Sequence, residues 1–357
     1  MASVDKALRI YLGRKAAALI DERGWSPDLF NLLLGASGGA KWLILSQLDR
    51  VLFGDFLQGG TGSLSTLGSS IGAWRHTCLA MPDPVAAIER MEEAYLDQRY
   101  SAKPDTREVS KVSLGILEHT LGRDGAEHLL QHPRVQTHIV TARGRGAAGS
   151  SSHTLLATAM GSAALSNAVS RRLLKLHFQR VMFHTGAAPA AQMRLQDFDT
   201  RCVRLEEQNL RRAIHASGSI PFVLNGERDI PGGPAGQYWD GGIIDYHFNP
   251  EQLDTDGLVL YPHFSEQLFP GWFDKFLPWR QAANHRYEQL VLLCPSAAFI
   301  DALPHGKIPD RSDFKNFGFP ERLAYWKECI ARGEQLAQEF AELISGNDPL
   351  AGAVVFK

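Results

Sequence analysis

A short apolar run that ends in a glycine-rich turn is the feature that most restricts what this sequence can fold into. Residues 29–34 read Leu-Phe-Asn-Leu-Leu-Leu and are closed by Gly35, a pattern typical of a buried strand in a parallel sheet. From Lys41 onward, apolar residues recur at the spacing of one helical face. The sequence therefore predicts a strand, a glycine-rich turn and a helix in succession, which is the repeating unit of α/β proteins.

Other stretches predict further elements of both kinds. Apolar periodicity favours helices over residues 8–20, 85–100 and 321–344, and short apolar runs favour strands over residues 257–261 and 289–294. A length of 357 residues admits one elaborated α/β domain or two smaller ones. We expect a single domain over residues 1–357, with a helical insertion at about 84–132 and a C-terminal extension at about 251–357.

Composition and charge exclude several classes of function. The 37 basic and 39 acidic side chains give a net charge of −2, so binding to nucleic acid by phosphate neutralisation is not expected. No apolar run reaches the roughly 18 residues of a membrane span, and the first residues lack the pattern of a secretion signal. We expect a cytoplasmic protein, and docking at a membrane surface stays open. No metal or other cofactor is expected, because no zinc or redox spacing connects the cysteines at 78, 202, 294 and 329.

The pattern Gly-x-Ser-x-Gly occurs twice, at residues 68–72 and at residues 35–39. This pattern lifts a serine hydroxyl onto a sharp turn between a strand and a helix. The flanking glycines leave room for a strained backbone and for an approaching acyl group. Ser70 is the candidate nucleophile, but the second match at Ser37 means that the pattern by itself does not identify it.

Acyl transfer by a serine also needs a base and hydrogen-bond donors for the developing oxyanion. The turn over residues 37–40 directs backbone N–H groups toward one spot at a helix N-terminus, which suits an oxyanion hole or a phosphate cradle. The spacing around Lys41 does not fit a Walker-type phosphate loop. Asp240, followed by Gly241 and Gly242, is a carboxylate on a turn that other backbone can approach closely.

The order of these motifs resembles that of the patatin-like phospholipases over residues 29–250. The stretches that carry the resemblance are the oxyanion motif at 38–41, the nucleophile elbow at 68–72, Ala-Ser-x-x-x-Pro at 216–221, Asp-Gly-Gly at 240–242 and Asn-Pro at 249–250. Trp42, where the family usually has a glycine, and Ile71, where it usually has a small polar residue, depart from the pattern.

The resemblance implies a three-layer α/β/α sandwich around a mainly parallel sheet. It also implies a lipid acyl hydrolase that cleaves the acyl ester bonds of lipids, as a phospholipase A does, through an acyl-serine intermediate. Ser70 would be the nucleophile and Asp240 the base of a dyad that works without histidine. The oxyanion hole would be formed by Gly38, Gly39 and Ala40.

Three residues are predicted to contact the substrate. Ser69 and Ile71 flank the nucleophile, and Trp272 belongs to an aromatic stretch over residues 268–279 that either lines an acyl-chain entrance, rests on a lipid surface or packs in the core. Lys41 is interpreted as a packing and salt-bridge residue.

Two alternatives stay open at this point. The first is an ordinary α/β-hydrolase esterase, in which His263 completes a Ser-Asp-His triad with Ser70 or with Ser37 as the nucleophile. The second is a lipid-binding protein that keeps the fold without turnover.

Overall fold

The computed structural model describes residues 6–186, 195, 197–249, 253, 255–281 and 287–356. The strands in these residues are β1 (Leu8–Leu12), β2 (Phe30–Gly35), β3 (Leu64–Ser69), β4 (Val135–Gly144), β5 (Phe178–His184), β6 (Thr200–Arg204), β7 (Glu227–Arg228), β8 (Gln237–Asp240), β9 (Leu258–Pro262), β10 (Leu290–Pro295) and β11 (Ala353–Val355). The α-helices are α1 (Arg14–Arg23), α2 (Ser46–Gly54), α3 (Ile71–Leu79), α4 (Pro84–Leu96), α5 (Thr106–Leu121), α6 (Gly125–Gln131), α7 (His153–Val169), α8 (Glu207–Ser217), α9 (Ala297–Asp301), α10 (Asp313–Asn316) and α11 (Phe319–Ser345).

The strands form one sheet in the order β11-β1-β10-β9-β2-β3-β4-β5-β6, with β8 on β4 and β7 on β8. The five central strands, from β10 to β4, are parallel to one another. Their near-continuous burial is what a parallel sheet with helices on its faces requires. The helices flank this mostly parallel sheet, which confirms the predicted α/β/α sandwich.

The predicted opening helix over residues 8–20 was wrong. Residues 8–12 form β1, with alternating burial, and the helix α1 begins only at Arg14. A Cβ atom at Gly13 would overlap the carbonyl oxygen of Tyr287, so the chain turns there against a distant segment. Residues 8–12 form a strand because they pair with β10 and β11, which lie more than 270 residues away. Such long-range pairing cannot be read from the local periodicity of the sequence.

The predicted insertion and the predicted C-terminal extension contribute different elements to the fold. Residues 84–131 contribute the three helices α4, α5 and α6. Residues after 250 contribute β9, which lies between β2 and β10 in the middle of the sheet. Pro250, from the Asn-Pro motif, lies outside the described residues.

Candidate active site

Ser70 lies in a sharp turn between the end of β3 and the start of α3. Its φ of 54° and ψ of −131° are unusual for a residue with a side chain, and such a conformation costs of order 1–3 kcal/mol. A Cβ atom at Gly72 would overlap the carbonyl oxygen of Gly35, so the end of β2 and the first turn of α3 touch through two glycines. The glycines of the motif therefore permit both the turn and the close packing behind it.

One edge of β4 brings Ser70 and Asp240 together. Ser69, the last residue of β3, pairs with Val140, and Asp240, the last residue of β8, pairs with the next residue, Thr141. β3 runs parallel to β4 and β8 runs antiparallel to it, so the two strands approach each other end to end along this edge. Asp240 is therefore placed beside the turn that follows Ser69.

The two predicted residues form a direct hydrogen bond in the structure. Ser70 Oγ donates to Asp240 Oδ2 at 2.8 Å, and the second carboxylate oxygen accepts the Gly242 N–H at 2.7 Å. Only 6% of Ser70 and 7% of Asp240 is exposed. Burial raises the pKa of Asp240 to about 6, although the hydrogen bonds from Ser70 and Gly242 oppose the shift. The carboxylate is thus poised to accept a proton near neutral pH.

Ser217 supports the turn that carries Ser70. Its hydroxyl donates to the Val140 carbonyl at 2.6 Å and accepts the Ser70 N–H at 2.9 Å. Nearby, the Ser219 carbonyl accepts the Asp240 N–H at 2.8 Å. Both serines belong to the Ala-Ser-x-x-x-Pro stretch, so the signal for these positions was present in the sequence, but the roles were not visible there.

The loop over residues 37–40 lies next to Ser70 and Asp240. Gly39 has a φ of 56°, in the left-handed region, and opens a 3-10 helix that runs to Leu45. Within the described residues, the backbone N–H groups of Gly38, Gly39 and Ala40 donate no hydrogen bond. Ser37 Oγ donates to Ser69 Oγ at 3.1 Å, which joins this loop to the end of β3. The loop has the free donors that an oxyanion hole requires.

A family model described as patatin-like phospholipase matches residues 65–250, which is more than half of the chain. The chain belongs to the patatin-like phospholipase family. This family of lipid acyl hydrolases is the one that the motifs predicted. The match includes Ser70, Ser217 and Asp240, and it begins after the loop at residues 37–40.

Two solved structures are similar to this member of the patatin-like family. VipD from Legionella pneumophila is 14% identical, with 100% of this chain and 77% of that chain covered and a TM-score of 0.35. Human GIVD cytosolic phospholipase A2 is 12% identical, with 93% of this chain and 64% of that chain covered and a TM-score of 0.35. No curated protein matches the chain.

The residues of the alternative triad, Ser37 and His263, are placed differently from Ser70 and Asp240. The Ser37 hydroxyl forms a hydrogen bond with the hydroxyl of Ser69, and it forms none with a carboxylate or an imidazole in the described part of the chain. His263 is fully buried, its Nδ1 contacts the backbone of Ser265, and its Nε2 has no hydrogen-bond partner among the described residues. Burial lowers the pKa of His263 to about 3. Neither Ser70 nor Asp240 forms a hydrogen bond with this imidazole.

The remaining predicted residues surround the patatin-like site in different ways. Ser69 is fully buried and Ile71 is 6% exposed, at the start of α3. Trp272 is half-buried and packs against Phe273 of the core around α7. Trp42, one of the two departures from the family pattern, is buried against Tyr95 of α4.

The salt bridge expected of Lys41 is not formed within the described residues. Its Nζ instead lies 4.7 Å from the centroid of the Phe264 ring. The described residues also contain no group of three His, Cys, Asp or Glu side chains arranged to hold a metal ion.

A buried ion-pair network, which sequence reasoning missed, holds the segment after the Asp-Gly-Gly turn. Arg180 of β5 is fully buried and makes two hydrogen bonds of 2.7 Å to the carboxylate of Asp245. Arg171 donates to the Ile244 carbonyl at 2.7 Å and approaches Asp245 at 3.4 Å. No sequence motif marks these pairs, because their members are 65 to 74 residues apart.

Proposed function

We propose that this protein hydrolyses a carboxylic ester of a lipid through a Ser70–Asp240 dyad and an acyl-Ser70 intermediate. The observation that carries the proposal is the 2.8 Å hydrogen bond from the Ser70 hydroxyl to the buried Asp240 carboxylate. Membership of the patatin-like phospholipase family supports the reaction class. No cofactor is required, because the nucleophile, the base and the oxyanion donors are all supplied by the chain.

In the proposed acylation step, Asp240 accepts the proton of Ser70 while Ser70 Oγ attacks the ester carbonyl. The oxyanion of the tetrahedral intermediate accepts hydrogen bonds from the N–H groups of Gly38, Gly39 and Ala40. When the intermediate collapses, the proton passes from Asp240 to the leaving alcohol and the acyl group stays on Ser70. In deacylation, Asp240 accepts a proton from water, the hydroxide attacks the acyl carbonyl, and the carboxylic acid leaves as Ser70 is reprotonated.

Labelling with a fluorophosphonate probe tests this proposal. The wild-type protein and Ser37→Ala are expected to become labelled, whereas Ser70→Ala is not labelled. Asp240→Asn is expected to react far more slowly, because the amide cannot accept the serine proton. Labelling that survives in Ser70→Ala and disappears in Ser37→Ala would identify Ser37 as the nucleophile. A wild-type protein that never reacts would favour the non-catalytic lipid-binding alternative.

We also propose that the protein makes peripheral contact with a lipid surface through α7 and the segment 272–280. Helix α7 contains no Asp, Glu, Lys or Arg, and its Leu165 and Val169 are 74% and 78% exposed. Phe276 and Trp279 are 74% and 72% exposed. We call these four residues the apolar surface. Exposed apolar side chains of this size favour transfer into a lipid interface.

Two hydrogen bonds join the two parts of the apolar surface. Asn167 of α7 donates to Asp274 at 2.7 Å, and Arg280 donates to the Asn167 carbonyl at 3.0 Å. Arg172 and Lys175, just after α7, are exposed cations that suit anionic headgroups. Across the described residues, none of the helices is long and apolar enough to cross a bilayer. The cytoplasmic location expected from the sequence stays a prediction.

A further inference from the structure

The hydroxyl groups of Ser37 and Ser69 form a buried pair next to the candidate active site. Ser37 Oγ donates to Ser69 Oγ at 3.1 Å, and only 2% of Ser37 and none of Ser69 is exposed. Ser37 belongs to the loop over residues 37–40, and Ser69 is the last residue of β3, directly before Ser70. One hydrogen bond therefore joins the loop proposed to bind the oxyanion to the strand that leads to the proposed nucleophile.

Both hydroxyl oxygens also contact the turn that carries Asp240. A Cβ atom at Gly241 would lie 2.7 Å from Ser69 Oγ. A Cβ atom at Gly242 would lie 2.5 Å from Ser37 Oγ. Only the hydrogen atom of a glycine fits in each of these two places. The two glycines after Asp240 are therefore required in part because the serine hydroxyls occupy the space that a side chain would need.

These contacts close a ring that includes Ser70 and Asp240. Ser70 Oγ donates to one carboxylate oxygen of Asp240 at 2.8 Å, and the Gly242 N–H donates to the other at 2.7 Å. Gly242 in turn lies against Ser37 Oγ. Ser37 is hydrogen-bonded to Ser69, which precedes Ser70 in the chain. A displacement of the hydroxyl pair would therefore move Ser70 relative to Asp240.

The oxyanion loop is fixed at Ser37 through two groups. The Ser37 N–H donates to the Tyr246 carbonyl at 2.9 Å, and the Ser37 hydroxyl donates to Ser69. Residues 38–40 follow directly, and within the described residues their N–H groups donate no hydrogen bond. The direction of these free N–H groups therefore depends on how firmly Ser37 is held.

We propose that Ser37 and Ser69 are positioning residues, whose hydroxyl pair fixes Ser70 relative to the proposed base and oxyanion donors. The inference rests on the proposed hydrolase function and adds two residues to the same site. It gives Ser37 a role other than that of a nucleophile, because its hydroxyl is used in the pair. Acyl transfer is sensitive to such positioning, since a displacement of about 1 Å can lower the rate about 100-fold.

A double-mutant cycle on a short soluble ester tests the pair. Ser37→Ala and Ser69→Ala are each expected to lower kcat about tenfold with little change in KM, because the substrate still binds while Ser70 and the proposed base shift. Each substitution removes the same hydrogen bond, so the double variant should be at most about twofold slower than the slower single variant. Ser46→Ala is the matched control, since Ser46 is also fully buried but its hydroxyl has no hydrogen-bond partner among the described residues. This control should keep the wild-type kcat and pH profile.

The pH dependence of kcat/KM separates positioning from a general loss of stability. Burial raises the pKa of Asp240, and the hydrogen bonds from Ser70 and Gly242 oppose that effect. If the hydroxyl pair is lost, these two bonds should weaken, and the acid limb of the profile should move to higher pH by about 0.5–1 pH unit. The charges of Lys275 and Arg311, which also act on Asp240, are the same in all variants.

Fluorophosphonate labelling distinguishes the failure of this inference from the failure of the proposed function. Ser37→Ala and Ser69→Ala should both be labelled to completion but more slowly than the wild type, and kcat is taken per labelled site so that unfolded protein does not count. Unchanged kcat and pH profile in both single variants, or losses that multiply in the double variant, would overturn the positioning pair and leave the hydrolase intact. A wild type that is never labelled would overturn the proposed function, and the positioning role with it.

Discussion

The hydroxyl of Ser217 accepts the backbone N–H of Ser70 at 2.9 Å, while it donates to the carbonyl oxygen of Val140. β3 ends where Ser69 pairs with Val140, so the polar groups at this point have left the regular ladder of the sheet. One buried side chain therefore satisfies a donor and an acceptor at the turn that carries Ser70. In the proposed mechanism Ser217 is a positioning residue, because its hydroxyl bonds the backbone of Ser70.

Ser217→Ala is expected to lower kcat on a short soluble ester by about 10- to 100-fold, because a small displacement of Ser70 is costly. KM should change little, and the free energy of unfolding should fall by about 1–3 kcal/mol, since two buried polar groups lose their partner. Ser217→Thr keeps the hydroxyl and should recover most of kcat. A general loss of structure would instead lower the amount of active enzyme in both variants, which active-site titration with the fluorophosphonate would reveal.

Activity is expected to depend on the ionisation of Asp240. The carboxylate accepts the proton of Ser70 only when it is ionised, so kcat/KM should fall as the pH falls through about 6, the raised pKa of Asp240. Each pH unit further down should reduce kcat/KM about tenfold. The measurement is a pH profile on an uncharged soluble ester, with circular dichroism to show that the fold persists. A profile that stays flat from about pH 7 to pH 5 would contradict the role of Asp240 as the base.

Gly241→Ala should destabilise the protein and inactivate it. A Cβ atom at Gly241 would overlap the carbonyl oxygen of Val140, so the turn that carries Asp240 has to shift. The expected loss in the free energy of unfolding is about 1–3 kcal/mol, measured by urea denaturation. Gly161→Ala is the matched control, because no atom lies within 4 Å of the added methyl group on α7. That substitution should leave activity unchanged and stabilise the helix by up to about 1 kcal/mol. If the two variants had the same free energy of unfolding, the close contact at Gly241 would not be needed for stability.

Replacement of the apolar surface should affect lipid aggregates selectively. The double variant Phe276→Ser/Trp279→Ser is expected to bind vesicles of phosphatidylglycerol and phosphatidylcholine several-fold less tightly, as judged by co-sedimentation. Hydrolysis of a short soluble ester should not change. Leu114→Ser, which alters an exposed leucine on α5, serves as the control. Vesicle binding that is equal in both variants would place the lipid contact elsewhere.

Trp272→Ala addresses the acyl-chain entrance predicted from the aromatic stretch. Because Trp272 is half-buried against Phe273, the substitution removes packing contacts of a core residue and not a fully exposed side chain that could insert into lipid. If lipid access runs past this residue, activity on vesicles should fall while activity on the short ester persists. Equal losses on both substrates would assign Trp272 to core packing.

Local sequence was sufficient for the elements that follow directly from residue pattern. The apolar run closed by Gly35 became β2, and the terminal helix predicted over residues 321–344 became α11. The opening segment failed for a physical reason. Residues 8–12 become a strand because they lie between β10 and β11, and such long-range pairing overrides a local helical period.

The sequence by itself determined the family, the class of chemistry and the candidate residues Ser70 and Asp240. The reason is that short motifs and their order can be read from the sequence without knowledge of the fold. Only the tertiary structure decided the contacts. The meeting of Ser70 with Asp240 depends on two strands that share one edge of β4, and the support from Ser217 depends on a helix that ends beside them.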